Sequence, residues 1–200
     1  MKFSHTTFVA AAALLASCSP LQPTYDDATD GDAFKPKAIR ATSETAVAYG
    51  WWDVPAGTVG QHQIVIDTNQ QEAKYYIGGR QVGYSRISSG KAGHGTPAGT
   101  FPILAKDATH VSSKYGSIVD AAGNTLIGDY TVGSGKPIPP GGRYQGAAMT
   151  HGMQLTNTGI WMHEGLVTAA PESHGCIRLP KQMAKIFFDN APVGTPVVIL

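Results

Sequence analysis

Seven consecutive residues near the C-terminus, Ser173-His174-Gly175-Cys176-Ile177-Arg178-Leu179, bring a thiol, an imidazole and a guanidinium together. In an extended chain alternate side chains share a face. His174, Cys176 and Arg178 then point one way, and Ile177 and Leu179 point the other way, into a core. A thiol nucleophile flanked by cations suits attack on an anionic substrate. Gly175 lets the backbone approach closely. The amides of His174, Gly175 and Cys176 are therefore candidates to receive an oxyanion during acyl transfer. A free thiol has a pKa of about 8.5, so Cys176 needs a base or a positive field to attack as thiolate.

A second imidazole comes from Gly159-Ile160-Trp161-Met162-His163. As a strand, this segment places Trp161 and His163 on one face and Ile160 and Met162 on the core face. Either His163 or His174 could serve as the base. Two other readings use the same residues. Cys176 could be core filler, as free cysteines often are, or His163, His174 and Cys176 could hold zinc. Against zinc, no His-Glu-x-x-His pattern is present, although Glu164 and Glu172 are close. An activated thiol would alkylate faster than an unfolded-chain cysteine at mildly acidic pH.

The elements that must position these groups read mostly as strands. Ile64 and Ile66 alternate with Gln63, Val65 and Asp67; Ala73 to Ile77 is a second run. Gly78-Gly79 supplies turn residues, and Gln81 to Ser88 returns as a strand. Phe101 to Leu104 is another short strand. Residues 105–150, rich in Gly and interrupted by Pro137, Pro139 and Pro140, read as mostly loop, long enough to be functional. After the Cys176 segment, Pro180 opens a helix. Met183, Ile186 and Phe187 give it an apolar face. Pro196 to Leu200 then forms a final buried strand. The expected fold is mostly β, a compact sandwich or barrel with one helix after the Cys segment.

Composition narrows the partners. The net charge of +1 offers no basic stripe, so no nucleic acid is expected. Lys2, the apolar run Phe8 to Ala16 and Leu15-Ala16-Ser17-Cys18 read as a signal peptide ending in a sequence that resembles a bacterial lipobox. Cleavage before Cys18 would leave that residue lipidated and the protein anchored to a membrane. Ser19 points to the outer membrane, facing the periplasm. The alternative is an ordinary secreted protein with a chance cysteine there. With two cysteines in all and Cys18 acylated, Cys176 has no disulfide partner in the chain. Residues 1–17 are thus read as signal peptide, 18–60 as a polar, Pro-interrupted tether and 61–200 as the catalytic domain.

The string Ser-His-Gly-Cys-Ile-Arg-Leu-Pro, preceded by a strand ending in Met-His, resembles the L,D-transpeptidase catalytic domain family. His94-Gly95-Thr96-Pro97-Ala98-Gly99-Thr100-Phe101, Ser112-Ser113-Lys114-Tyr115-Gly116 and Pro139-Pro140-Gly141-Gly142-Arg143 agree with it, so the likeness covers roughly 61–200. The resemblance implies a cell-wall enzyme that needs no cofactor. Cys176 would attack the L,D peptide bond of a peptidoglycan tetrapeptide stem and release D-alanine, and an amine would resolve the acyl-enzyme. It makes His163 the base, oriented by a backbone carbonyl, that of Glu164. It makes the amides of His174, Gly175 and Cys176 the oxyanion hole, and Arg178 and Ser173 substrate-positioning groups. Water in place of the amine would make the protein an L,D-carboxypeptidase, and loss of activity would make it a wall-binding lipoprotein. Two positions depart from the family pattern: Glu164 stands where a small residue is frequent, and His151 where an aromatic often stands.

Overall fold

The structure, a computed structural model, describes residues 49–200. The signal peptide, Cys18 and most of the expected tether lie outside the described residues. The tether's far end carries the first strand, β1 (Gly50–Trp52), which pairs antiparallel with β4 (Arg80–Arg86). Trp52 explains that pairing: its ring meets Tyr75 edge-on at 4.9 Å and tilts against Phe187 at 6.2 Å.

The first sheet is built from the alternating segments. Strands β2 (His62–Asp67), β3 (Glu72–Ile77) and β4 form a meander. The C-terminal strand β13 (Pro196–Ile199) lies parallel to β2 and antiparallel to β5 (Gly99–Pro102). The order is β1-β4-β3-β2-β13-β5. Ile64 and Ile66 of β2, Ala73, Tyr75 and Ile77 of β3, and Val197 and Ile199 of β13 bury the core face. Tyr75 is fully buried yet satisfied, because its hydroxyl donates to the Asn190 carbonyl at 2.8 Å and meets His62 Nδ1 at 2.7 Å.

A second, four-stranded sheet carries the chemistry. Its order is β12 (Ile177–Leu179), β11 (Trp161–Glu164), β10 (Gly152–Gln154) and β6 (Ala105–Asp107). The helix α1 (Lys181–Asn190) begins right after β12, with Pro180 as N-cap, and buries Met183, Ala184 and Phe187. Ile186, expected on the same face, is partly buried at its edge. Met153, Met162, Ile177 and Leu179 of the four-stranded sheet join Phe187, Tyr75 and Ile64 in one core. Each fully buried side chain of this size contributes roughly 1.5–3 kcal/mol.

Residues 105–150 differ from the expected loop. They contain β6 and a three-stranded sheet of order β8-β7-β9, made of β7 (Val111–Val119), β8 (Thr125–Thr131) and β9 (Arg143–Ala148). The physical reason is exposure. Nearly all of β8 and β9 is at least partly open to solvent, and Val111, Leu126, Val132 and Ile138 remain exposed. A sheet with little buried on either face leaves no period-two apolar pattern to read.

Candidate active site

The parallel pairing of β11 with β12 builds the site. The register sets Met162 beside Ile177, His163 beside Arg178 and Glu164 beside Leu179. Met162, Ile177 and Leu179 are fully buried, so these side chains take the core face. Alternation then puts His163 and Arg178 on the opposite face with Trp161, and Cys176 lies one step before the strand. Cys176 thus enters the strand that lies beside the imidazole's own, two residues before the Arg178 that pairs with His163.

His163 is 7% exposed and donates from Nδ1 to the Glu164 carbonyl oxygen at 2.7 Å. That bond places the proton on Nδ1 and leaves Nε2 as the lone-pair nitrogen. The Glu164–Gly165 peptide is itself held, because the Gly165 amide donates to the Leu179 carbonyl at 2.9 Å. A Cβ at Gly165 would lie 2.9 Å from Cγ of Arg178, so only glycine lets the guanidinium stem pass. Burial pushes the His163 pKa down to about 4, against the raising effect of the Glu164 carbonyl, with Arg178 and His110 lowering it further. At neutral pH the imidazole is uncharged, as a base must be.

Cys176 is half-buried and has no disulfide among the described residues. Its thiol donates to the Gly159 carbonyl oxygen at 3.6 Å. Burial raises its pKa, and the Trp161 amide and the Arg178 charge only partly oppose that rise. Desolvation therefore favours the protonated thiol at rest. The site holds a neutral thiol and a neutral imidazole, because desolvation penalises both charged forms.

The rest of the 173–179 segment is not one extended run. Gly175 takes φ +115°, where a Cβ would meet Ile160 at 3.0 Å, and only Ile177–Leu179 is strand. The Ser173 side chain is buried inside the turn, donating to the Cys176 carbonyl and accepting the Gly175 amide at 3.1 Å. Its hydroxyl shapes the 173–176 turn. Gly175 N–H is thereby occupied, while the amides of His174 and Cys176 find no intrachain acceptor among the described residues. Those two are the donors available to an oxyanion.

His174 turns away from the thiol's face toward the three-stranded sheet. Its ring stacks on Tyr115 at 4.4 Å and 16°, meets His94 edge-on at 4.9 Å, and sets Nε2 3.4 Å from Asp129 Oδ1. Burial lowers its pKa, against the attraction of Asp129. Of the two histidines open to the role of base, His163 is buried with Nδ1 committed to a backbone carbonyl, and His174 is engaged with Tyr115, His94 and Asp129. Among the described residues no group of three His, Cys, Asp or Glu side chains is arranged to hold a metal, so His163, His174 and Cys176 do not converge as zinc ligands.

Sequence reasoning missed the supports from distant segments. Thr96 Oγ1 donates to the Gly175 carbonyl at 2.8 Å and accepts the Gly90 amide at 2.9 Å, tying the Gly-rich loop to the 173–176 turn. Gly90 itself has no room for a side chain, since a Cβ would lie 2.0 Å from the His94 carbonyl and 3.0 Å from Gly175 Cα. Asp129 sits at φ +49° and also faces Lys91 at 3.9 Å. Trp161 is stacked on His110 at 4.0 Å and 14°. The Gly-Asp pair at 128–129, a turn-forming dipeptide inside a strand, was the one local signal.

Known proteins agree with this architecture. The L,D-transpeptidase catalytic domain family matches residues 61–199. A Bacillus subtilis (strain 168) protein, YciB, whose name provisionally makes it an L,D-transpeptidase, is 28% identical over 171 residues, covering 80% of this chain and 78% of its own. An L,D-transpeptidase from Mycobacterium smegmatis shares the fold at TM-score 0.53 and 24% identity, with 70% of this chain and 59% of that one covered. L,D-transpeptidase 3 from Mycobacterium tuberculosis, solved with a faropenem-derived adduct, gives TM-score 0.50 and 20% identity over 69% of this chain and 59% of its own. The chain thus spans about three fifths of the length of those solved proteins.

Proposed function

The chain belongs to the L,D-transpeptidase catalytic domain family, and from that premise we propose that it is a peptidoglycan L,D-transpeptidase using Cys176 as nucleophile and His163 as base. The observation that supports this reading is the register that sets His163 beside Arg178, two residues after Cys176, with Nδ1 of His163 committed to the Glu164 carbonyl. The substrate is the tetrapeptide stem of the wall. Sγ of Cys176 attacks the carbonyl carbon of the L,D bond while its proton passes to Nε2 of His163. The negative oxygen of the tetrahedral intermediate is received by the amides of His174 and Cys176. Collapse breaks the C–N bond, and D-alanine leaves with the proton from Nε2. The thioester is then attacked by an amine of a neighbouring stem, which gives its proton to Nε2. The departing sulfur takes it back. Arg178 lies beside His163 and offers its fork to a stem carboxylate.

Two features bear on how the site meets a stem. Tyr115 and Asp129 place the three-stranded sheet against the nucleophile loop, so a stem bound at Cys176 meets β7–β9 on that side. The faropenem adduct named for the Mycobacterium tuberculosis relative supports acylation of Cys176 by penem β-lactams. The N-terminal Lys2, apolar run and Leu15-Ala16-Ser17-Cys18 support a lipid anchor at Cys18 in the outer membrane, facing the periplasm.

Purified wild-type protein and Cys176→Ala are incubated with disaccharide-tetrapeptide, and products are resolved by mass. Wild type is expected to release D-alanine and form stem dimers, and Cys176→Ala to do neither. Cleaved stems without dimers would assign an L,D-carboxypeptidase instead. Activity retained by Cys176→Ala would overturn the reading.

A further inference from the structure

The Glu164 carbonyl that orients the base belongs to a residue whose own side chain is engaged. Glu164 Oε2 lies 3.3 Å from Nδ1 of His151, and both side chains are largely buried. His151 is held at φ +53°, a left-handed conformation that a side chain adopts only at a cost of about 1 kcal/mol. Tertiary contacts impose it: the His151 amide donates to the Ala108 carbonyl at 3.1 Å, and the ring meets Phe188 of α1 at 5.7 Å. Nδ1 of His151 is the one buried side-chain nitrogen or oxygen among the described residues without an aligned hydrogen bond. Its partner by distance is the Glu164 carboxylate. The preceding residue grips the same target, because the Glu164 amide donates to the Thr150 carbonyl at 2.8 Å. Residues 150 and 151 therefore hold Glu164 by backbone and by side chain. The strained conformation at 151 aims the imidazole there.

We propose that His151 and Glu164 are positioning residues, whose pairing holds the Glu164 backbone still and so keeps the proton of His163 on Nδ1 and its lone pair on Nε2. The inference rests on the reading of Cys176 and His163 above. Without the pair, the Glu164 carbonyl gains freedom, the imidazole samples its other tautomer, and fewer molecules are competent to take the thiol proton.

The test joins kinetics to ¹⁵N NMR of the His163 ring, which reports which nitrogen carries the proton. Glu164→Ala and His151→Phe, the latter keeping the contact with Phe188, are each expected to lower kcat for D-alanine release by roughly tenfold, the order seen when an orienting partner is lost. KM should hold, and the ¹⁵N pattern should move toward a tautomer mixture. Glu164→Gln, whose amide oxygen still faces His151, should restore most of kcat and the Nδ1–H pattern. If Glu164→Ala does not fold, His151→Phe and Glu164→Gln decide by the same readouts. Wild-type kcat in the folded variants, or a lower kcat with the Nδ1–H pattern intact, overturns the proposal. An Nε2–H pattern in wild type itself, or D-alanine release by Cys176→Ala, would instead overturn the underlying reading.

Discussion

Removing the imidazole at 163 is the most informative perturbation of this site. In the wild type the acid limb of kcat/KM for D-alanine release should follow the free enzyme's base. Burial holds that base near 4 rather than at the ordinary 6.5. Activity should accordingly stay level from neutral pH down to about 5 and fall by half near pH 4. The thiol, pushed above its ordinary range by the same desolvation, does not ionise on its own near neutrality. At pH 7 the thiolate fraction of such a group is at most roughly 3%. His163→Ala should therefore lose the general-base contribution, about 10²–10⁴ in rate. Its remaining activity should climb tenfold per pH unit through neutrality as hydroxide replaces the base. The assay is D-alanine release from disaccharide-tetrapeptide between pH 4 and 10, with the acyl-enzyme followed by intact mass. A wild-type acid limb centred at 6.5, or a His163→Ala variant keeping more than about a tenth of the rate at pH 7, would refute the neutral-pair argument.

Three further outcomes follow from the same geometry. His163 binds its proton more weakly folded than unfolded, so the unfolded state holds more protons between pH 6.5 and about 4. Wild type should lose roughly 3 kcal/mol of stability as pH falls through that window, and His163→Gln should lose less, read from urea midpoints; parallel pH dependences would contradict it. Asp129→Asn and Tyr115→Ala should free the three-stranded sheet from His174. Each should weaken substrate binding severalfold, raise KM more than they lower kcat and speed amide exchange in β7–β9; the exposed ion pair contributes no more than about 1 kcal/mol and the stack about as much. Gly90→Ala should drive a Cβ into the His94 carbonyl and Gly175 Cα, costing about 1–3 kcal/mol and most of the turnover; a wild-type melting temperature and rate would show the loop to be loosely held.

The candidate groups were legible because the strands that carry them follow a local rule. Alternation along Gly159 to His163 and Ile177 to Leu179 follows from the two-residue period of a strand, and the buried Met162, Ile177 and Leu179 match it. The same holds for Ile64 and Ile66 in β2 and for the helix with Met183 and Phe187 after Pro180. A thiol two residues from an imidazole, with a second imidazole upstream, needs no fold to be recognised as a candidate nucleophile.

Tertiary structure alone decided the rest. The surroundings of the two histidines depended on the parallel register of β11 with β12, and on Tyr115 and Asp129 reaching His174 from a distant sheet. That sheet was invisible in sequence because it buries little apolar surface on either face. Ser173 and Gly175 left the extended pattern because the turn closes on Thr96, 79 residues away from Gly175. The protonation states came out neutral rather than ionic, since desolvation is set by everything packed around a group and not by its neighbours in the chain. Periodicity is written into consecutive residues. Burial, register and field are sums over segments that only folding brings together.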